Sequence, residues 1–277
     1  MMVEKIPWGE WAEGAVDVIK DNLDPLLDAI YSVLNWMANT TQDVLMTVPD
    51  LWMILIISVF SLLVTRKIIM SGLIAVALLV IWNMGLWELS MLTLTLVVVA
   101  AIISLLVGIP LGILSAKSNF LNKGMKVVLD FMQTMPSFVY LIPVVILFRL
   151  GNVPGIIATV IFALPPVVRF TDLGIREVPK ELKEVSESFG TNWLQKLTKV
   201  ELPMAKPTIM AGINQCIMLS LSMVVIASMI GVAGLGRDVL MAIQRVDVAM
   251  GFEAGLAVVL LAIILDRITQ SIGSNRS

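Results

Sequence analysis

Long apolar runs separated by short charged connections constrain this chain more than any other feature. A helix needs about 20 apolar residues to cross the ~30 Å hydrocarbon core of a bilayer. Candidate spans fall at residues 51–65, 68–82, 89–116, 127–148, 153–168, 208–232 and 252–266, a working count of about seven. The first and fifth are short for a full crossing. Charged residues make up only 14% of the 277 positions, too few to cover the surface of a soluble domain. One cysteine, Cys216, sits inside an apolar run and there is no histidine, so neither a disulfide framework nor a structural metal site is expected. No cleavable signal peptide is expected either, because the first fifty residues are acidic and precede any apolar core.

Orientation follows from where Lys and Arg sit. One connection carries Arg66 and Lys67, the next Lys117, Lys123 and Lys126, and the longest Arg169, Arg176, Lys180, Lys183, Lys196, Lys199 and Lys206. The alternating connections at 83–88 and 151–152 carry none, although Arg237 and Arg245 fall on that side beside Asp238 and Asp247. The reading is an N-terminus outside, a C-terminus inside and the basic loops in the cytoplasm.

Before the first span, Leu23, Leu26, Leu27, Ile30, Val33, Leu34 and Met37 recur at helical spacing with Asp21, Asp24 and Asp28 among them. That pattern predicts an amphipathic helix over 8–37, lying on the membrane surface. Its acidity favours the outer leaflet or a partner subunit over anionic lipid, with a plain scaffold role left open. Within the spans, Ser104, Gly108, Gly112 and Ala116 form a small-residue stripe, and Gly251 and Gly255 a shorter one. Such stripes allow close helix approach, either inside the subunit or at a dimer seam. Pro110, Pro136, Pro143, Pro154, Pro165 and Pro166 predict bends in the middle spans. Ionisable residues inside the spans are scarce, with Asp130 near a boundary, which speaks against ion-coupled transport.

The connection at 169–206 has helical pattern of its own. Pro179 can open a helix whose Leu182, Val185 and Phe189 share one face, and Gly190 supplies a left-handed stop. Thr191 is the expected cap of a second helix with Leu194, Leu197 and Val200 as its apolar side, ended by Leu202 and Pro203. Two amphipathic helices around a glycine corner form a rigid knob shaped to dock, with Phe189 as the apolar anchor.

Glu184-Val185-Ser186, then Gly190, then Val200, Leu202 and Pro203 resemble the EAA loop of ABC importer permeases. That loop reads Glu-Ala-Ala, three residues, Gly, nine residues, Ile, one residue, Leu-Pro; the spacing matches, and Val185, Ser186 and Val200 are conservative departures. The stretches 130–136, 138–143, 211–215 and 231–236 are similar to permeases for glycine betaine and related osmoprotectants. The resemblance implies an all-α polytopic protein with the type I ABC importer transmembrane fold. Its parts would be an extracytoplasmic N-terminal segment (1–50), two accessory spans (51–88), the permease domain (89–268) and a cytoplasmic tail (269–277).

It further implies that Glu184, Val185, Ser186, Phe189, Gly190, Val200, Leu202 and Pro203 couple the spans to a separate ATPase. That subunit would bind ATP and Mg; this chain would bind no cofactor and is no enzyme, since Ala116-Lys117-Ser118 lacks the glycines of a phosphate loop. The implied partners are that ATPase, an extracytoplasmic binding protein carrying the aromatic cage for a quaternary ammonium, a second permease copy and the bilayer, with no nucleic acid. The implied location is the plasma membrane of a prokaryote. Candidates for the transport path are Met135, Pro136, Phe138, Tyr140, Asn214, Gln215, Ser220 and Ser222. Another small solute such as an amino acid, ion-coupled transport and a non-transporting scaffold are the competing readings.

Overall fold

The computed structural model describes residues 8–274, and every regular element among them is helical. Residues 1–7 of the N-terminal segment and 275–277 of the expected tail lie outside the described residues. In chain order the helices are α1 (Trp8–Thr47), α2 (Asp50–Thr65), α3 (Ile68–Asn83), α4 (Trp87–Lys117), α5 (Asn119–Thr134) and α6 (Ser137–Phe148). There follow α7 (Asn152–Arg176), α8 (Lys180–Ser188), α9 (Trp193–Lys196), α10 (Leu202–Ala227), α11 (Leu235–Arg245) and α12 (Val248–Ser274).

Helices α4, α7, α10 and α12 form the bundle. Each belongs to a helix long and apolar enough to cross a membrane, and two bent pairs bring the possible crossings to six. All seven expected spans are helical, with α3 the shorter apolar helix among them. Four boundaries differ. The expected single span at 127–148 is two helices, α5 and α6, bent by 96°. Pro136 sits immediately before Ser137 with extended backbone, φ −56° and ψ 137°, and a proline at that point cannot continue the α5 hydrogen-bond ladder. The expected connection at 169–206 is shorter, because α7 carries on to Arg176 and α10 begins at Leu202. Helix α12 runs to Ser274, so most of the tail expected from Arg267 or 269 onward is helix. Helix α1 runs to Thr47 instead of ending near Met37.

The small-residue stripe of α4 packs inside the chain. A Cβ on Gly108 would lie 2.8 Å from Val167 Cγ1, and one on Gly112 only 2.5 Å from Thr171 Cβ and 2.8 Å from the Val168 carbonyl. The missing side chains let α4 and α7 approach to backbone contact. Gly251 touches Ala242 of α11, whereas Gly255 faces open space. Pro110, Pro143, Pro165 and Pro166 lie within continuous helices, and Pro154 falls in the first turn of α7, where no donor is lost.

The apolar stripe of α1 is split. Leu27, Leu34 and Ala38 are buried in a core with Val97, Val144, Phe148 and Val153. Leu23, Leu26, Ile30 and Val33 remain exposed. Helices α2 and α3 form an accessory hairpin clasped at both ends: Trp82 Nε1 donates to Asp50 Oδ2 at 3.2 Å, and Ser61 and Ser71 share a 3.4 Å contact. Ile74, Leu78 and Ile81 attach it to Trp87, Ala257, Leu261 and Ile264.

Candidate functional site

The feature that projects from the bundle is the connection between α7 and α10. Helix α8 begins directly after Pro179 and ends at Ser188, with Phe189 as its C-cap. Gly190 takes φ +73°; its N–H donates to the Glu187 carbonyl at 2.9 Å and the Thr191 N–H to the Ser186 carbonyl at 3.2 Å. This pair of bonds is the Schellman arrangement, which glycine enters without a Cβ penalty. The cap of the second helix is Asn192, not Thr191. Its Oδ1 accepts from Gln195 N at 2.8 Å while its own N–H donates to Gln195 Oε1 at 3.0 Å, a complete capping box. Thr191 instead donates its hydroxyl to the Ser186 carbonyl at 2.7 Å.

Leu202 and Pro203 do not end the second helix. A π-helical turn at Leu197–Glu201 carries it into α10. Pro203 has no N–H and crowds the carbonyl four residues back, and the wider turn preceding it, with Leu202 N–H reaching Leu197 O, relieves that crowding without a break. Val200 and Leu202 are half-buried there and Pro203 is exposed.

The connection is pinned from beneath by polar contacts. Lys183 Nζ donates to the Ile175 carbonyl at 3.0 Å; burial pushes its ammonium below the ordinary value, opposed by Glu201. Lys196 clasps Glu187 across the corner, raising the lysine and lowering the carboxyl from their ordinary values. Lys117, at the end of α4, pairs with Glu201, which is 2% exposed. Asp172 accepts from Arg176 Nε at 2.9 Å and from Asn122 Nδ2 at 2.8 Å. Arg176 also donates to Asn119 Oδ1 at 2.9 Å and to the Ser115 carbonyl at 2.7 Å. The ends of α4, α5, α7 and α10 are thus one hydrogen-bonded platform. Sequence reasoning took Lys117 and Arg176 for orienting charges and missed Asp172, Glu201, Asn119 and Asn122.

Above the platform the knob presents an uncovered apolar face. Phe189 is 85% exposed, and Leu182, Val185, Trp193 and Leu194 are exposed with it. The expected apolar side of the second helix is divided: Leu194 faces outward, Leu197 is buried and Val200 half-buried. Ser186 is buried and Glu184 exposed.

The expected path residues do not converge. Met135 and Tyr140 share a cluster with Ala158 and Met223, and the buried Tyr140 hydroxyl has no hydrogen-bond partner among the described residues. Asn214 Nδ2 turns instead to Asp266 Oδ1 of α12, at 2.9 Å. Ser220 is buried and donates to the Cys216 carbonyl at 2.9 Å. Pro136 and Phe138 are exposed, and Gln215 and Ser222 lie two turns apart on an exposed face of α10.

The helical bundle with its projecting connection has the type I ABC importer transmembrane fold. The fold matches an inward-facing structure of the methionine ABC transporter MetNI, with a TM-score of 0.59 and 19% identity over 65% of this chain and 93% of that one. Residues 108–275 match the family described as "Binding-protein-dependent transport system inner membrane component", and the chain belongs to that family as a multi-pass membrane transport subunit. It is 50% identical over 273 residues to the glycine betaine/carnitine transport permease protein GbuB of Listeria monocytogenes, covering 97% of this chain and 96% of that protein. It is 43% identical to the glycine betaine transport system permease protein OpuAB of Bacillus subtilis, covering 97% and 95%. Identity to the glycine betaine/proline betaine transport system permease protein ProW of Escherichia coli is 44%, covering 97% and 75%.

Proposed function

We propose that the chain is the membrane-spanning subunit of an ATP-driven importer for glycine betaine or a close quaternary-amine relative. The observation that carries this is 50% identity along 97% of the chain to a betaine and carnitine permease. The chain has no ATPase site of its own in this reading. ATP and Mg are bound by a separate ATPase, and the quaternary ammonium is first captured by an extracytoplasmic binding protein. Orientation follows the basic loops, with the knob in the cytoplasm, the N-terminus outside and the C-terminus inside.

Coupling runs through Glu184, Val185, Ser186, Phe189, Gly190, Val200, Leu202 and Pro203. The reading is supported by the face at Phe189, which stays exposed among the described residues, and by the platform of ion pairs beneath it. A knob on a rigid base transmits displacement to the spans, and ATP binding favours only a state that differs in those contacts. A second permease copy is proposed because Gln215 and Ser222, polar and exposed on a membrane-embedded helix, suit a protein or water-lined surface better than lipid. That face and the Met135–Tyr140 bend are the proposed path.

The test is uptake of labelled glycine betaine into liposomes containing this chain, its ATPase and its binding protein, with carnitine, choline and proline as competitors. ATP-dependent betaine uptake supports the reading. ATP-dependent uptake of a different solute keeps the importer and discards the substrate, and betaine uptake without ATP contradicts the coupling.

A further inference from the structure

The accessory hairpin does not close onto the bundle along its whole length. Ile81, Leu78 and Ile74 of α3 are buried against the bundle core. One turn further toward the knob end the helices part, leaving a cavity of about 530 Å³ lined by Lys67, Met70, Met210, Asn214, Arg267 and Gln270. Its volume is in the range that small-molecule sites occupy.

Lys67 and Arg267, both exposed, are its two cations, with Arg66 exposed next to Lys67; Met70, Pro207, Met210 and Ala211 are its apolar side chains, and the remainder is neutral polar side chains and Gly273. Among the described residues no carboxylate lines it. Asp266, beside Arg267 in sequence, already accepts from Asn214 Nδ2 at 2.9 Å and from Gln270 Nε2 at 2.7 Å. Its approach to Arg267 Nε is 3.9 Å, too long for a hydrogen bond, and among the described residues the Arg267 guanidinium donates no hydrogen bond, which leaves it to an incoming acceptor.

We propose that this gap binds the phosphate headgroup of an anionic lipid, which wedges the accessory hairpin α2–α3 against α10 and α12. Two cations at the level where a bundle leaves the bilayer attract a phosphodiester, and Arg adds directional donors to its oxygens. The apolar residues give the glycerol and upper acyl chain a surface that a free phosphate would not use, which commits the site to lipid. Naming the leaflet as cytoplasmic rests on the orientation proposed above; the chemistry of the site does not.

The experiment is native mass spectrometry of the assembled importer, delipidated and titrated with phosphatidylglycerol or phosphatidylcholine. Wild type should retain phosphatidylglycerol at least about fivefold better than phosphatidylcholine, roughly 1 kcal/mol of preference. Lys67→Gln/Arg267→Gln should lose that preference, and Lys67→Arg/Arg267→Lys should keep it. No preference in wild type overturns the proposal without any variant being needed. Equal loss in Lys123→Gln/Lys126→Gln, two exposed cations of α5, would show diffuse surface charge and overturn it. Displacement of the lipid by millimolar inorganic phosphate would assign the cavity to free phosphate and overturn the lipid assignment.

Discussion

Lys117 at the end of α4 and Glu201 before the root of α10 form an ion pair across 84 residues of sequence, with the carboxylate 2% and the ammonium 24% exposed. The pair joins the first long helix of the bundle to the helix that emerges from the knob. Removing one partner strands a buried charge, which is costly, whereas replacing both with apolar residues often is not. Lys117→Met should destabilise the purified chain by about 3 kcal/mol, the low end for breaking a buried pair because Lys117 is partly solvated. Lys117→Met/Glu201→Met should recover most of the loss. Thermal midpoints in one detergent, read as a double-mutant cycle, check this.

Close approach of α4 and α7 depends on Gly112, whose added Cβ would meet the Val168 carbonyl at 2.8 Å, while Gly255 faces nothing within 4 Å. Gly112→Ala should cost about 1–3 kcal/mol by overpacking against backbone, and Gly255→Ala should be silent or slightly stabilising. Yields of monodisperse protein and melting points decide; similar behaviour of the two variants would contradict the packing described.

Phe189 contributes little to the folded chain, being 85% exposed. Phe189→Ala should leave the melting point within about 0.5 kcal/mol of wild type yet weaken binding to the ATPase at least about tenfold, the loss expected of an aromatic anchor. Titration of labelled ATPase onto the purified permease measures both affinity and integrity. A destabilised variant with unchanged affinity would place Phe189 in the fold, not the interface.

The Glu187–Lys196 clasp predicts a pH dependence confined to the knob. The glutamate sits below its ordinary 4.5, mainly through its hydrogen bond with Lys196, so its contribution is complete above that value and is lost as pH falls through the lowered one. The lysine sits above its ordinary 10.5, mainly through the reciprocal bond, so its contribution is complete below that value and is lost as pH rises through the raised one. Amide exchange in residues 186–196 should therefore be slow and flat at neutral pH, after correction for intrinsic rates. It should quicken only below pH 4.5 or above 10.5. Glu187→Gln should remove the acid limb.

What the sequence disclosed, and what it did not, divides along physical lines. The spans and the glycine corner were legible because apolar length and positive φ leave local marks, as at Gly190. The break at Met135–Pro136 was legible only in part: a bend was expected at Pro136, but equally at Pro110 and Pro143, which sit inside continuous helix, and only surrounding packing decides the angle. Asn192 and Thr191 are equally plausible caps until Gln195 is seen to close the box. Glu201 is unremarkable in sequence, because its partner Lys117 is distant and reads as an orienting charge. The path residues scattered because composition does not say which side of α10 meets α12, and Asn214 turned to Asp266 while Gln215 turned away.

Gly190→Pro is the sharpest probe of the proposal that the knob passes ATP-driven motion to the spans of a betaine permease. Proline cannot take φ +73° and removes the N–H bonded to the Glu187 carbonyl, while no buried packing surrounds the residue. Labelled glycine betaine uptake is measured in liposomes holding the full importer, beside ATP hydrolysis. Uptake should fall to background while the permease stays folded and the ATPase keeps its basal turnover. Wild-type, ATP-dependent betaine uptake by the variant would contradict it.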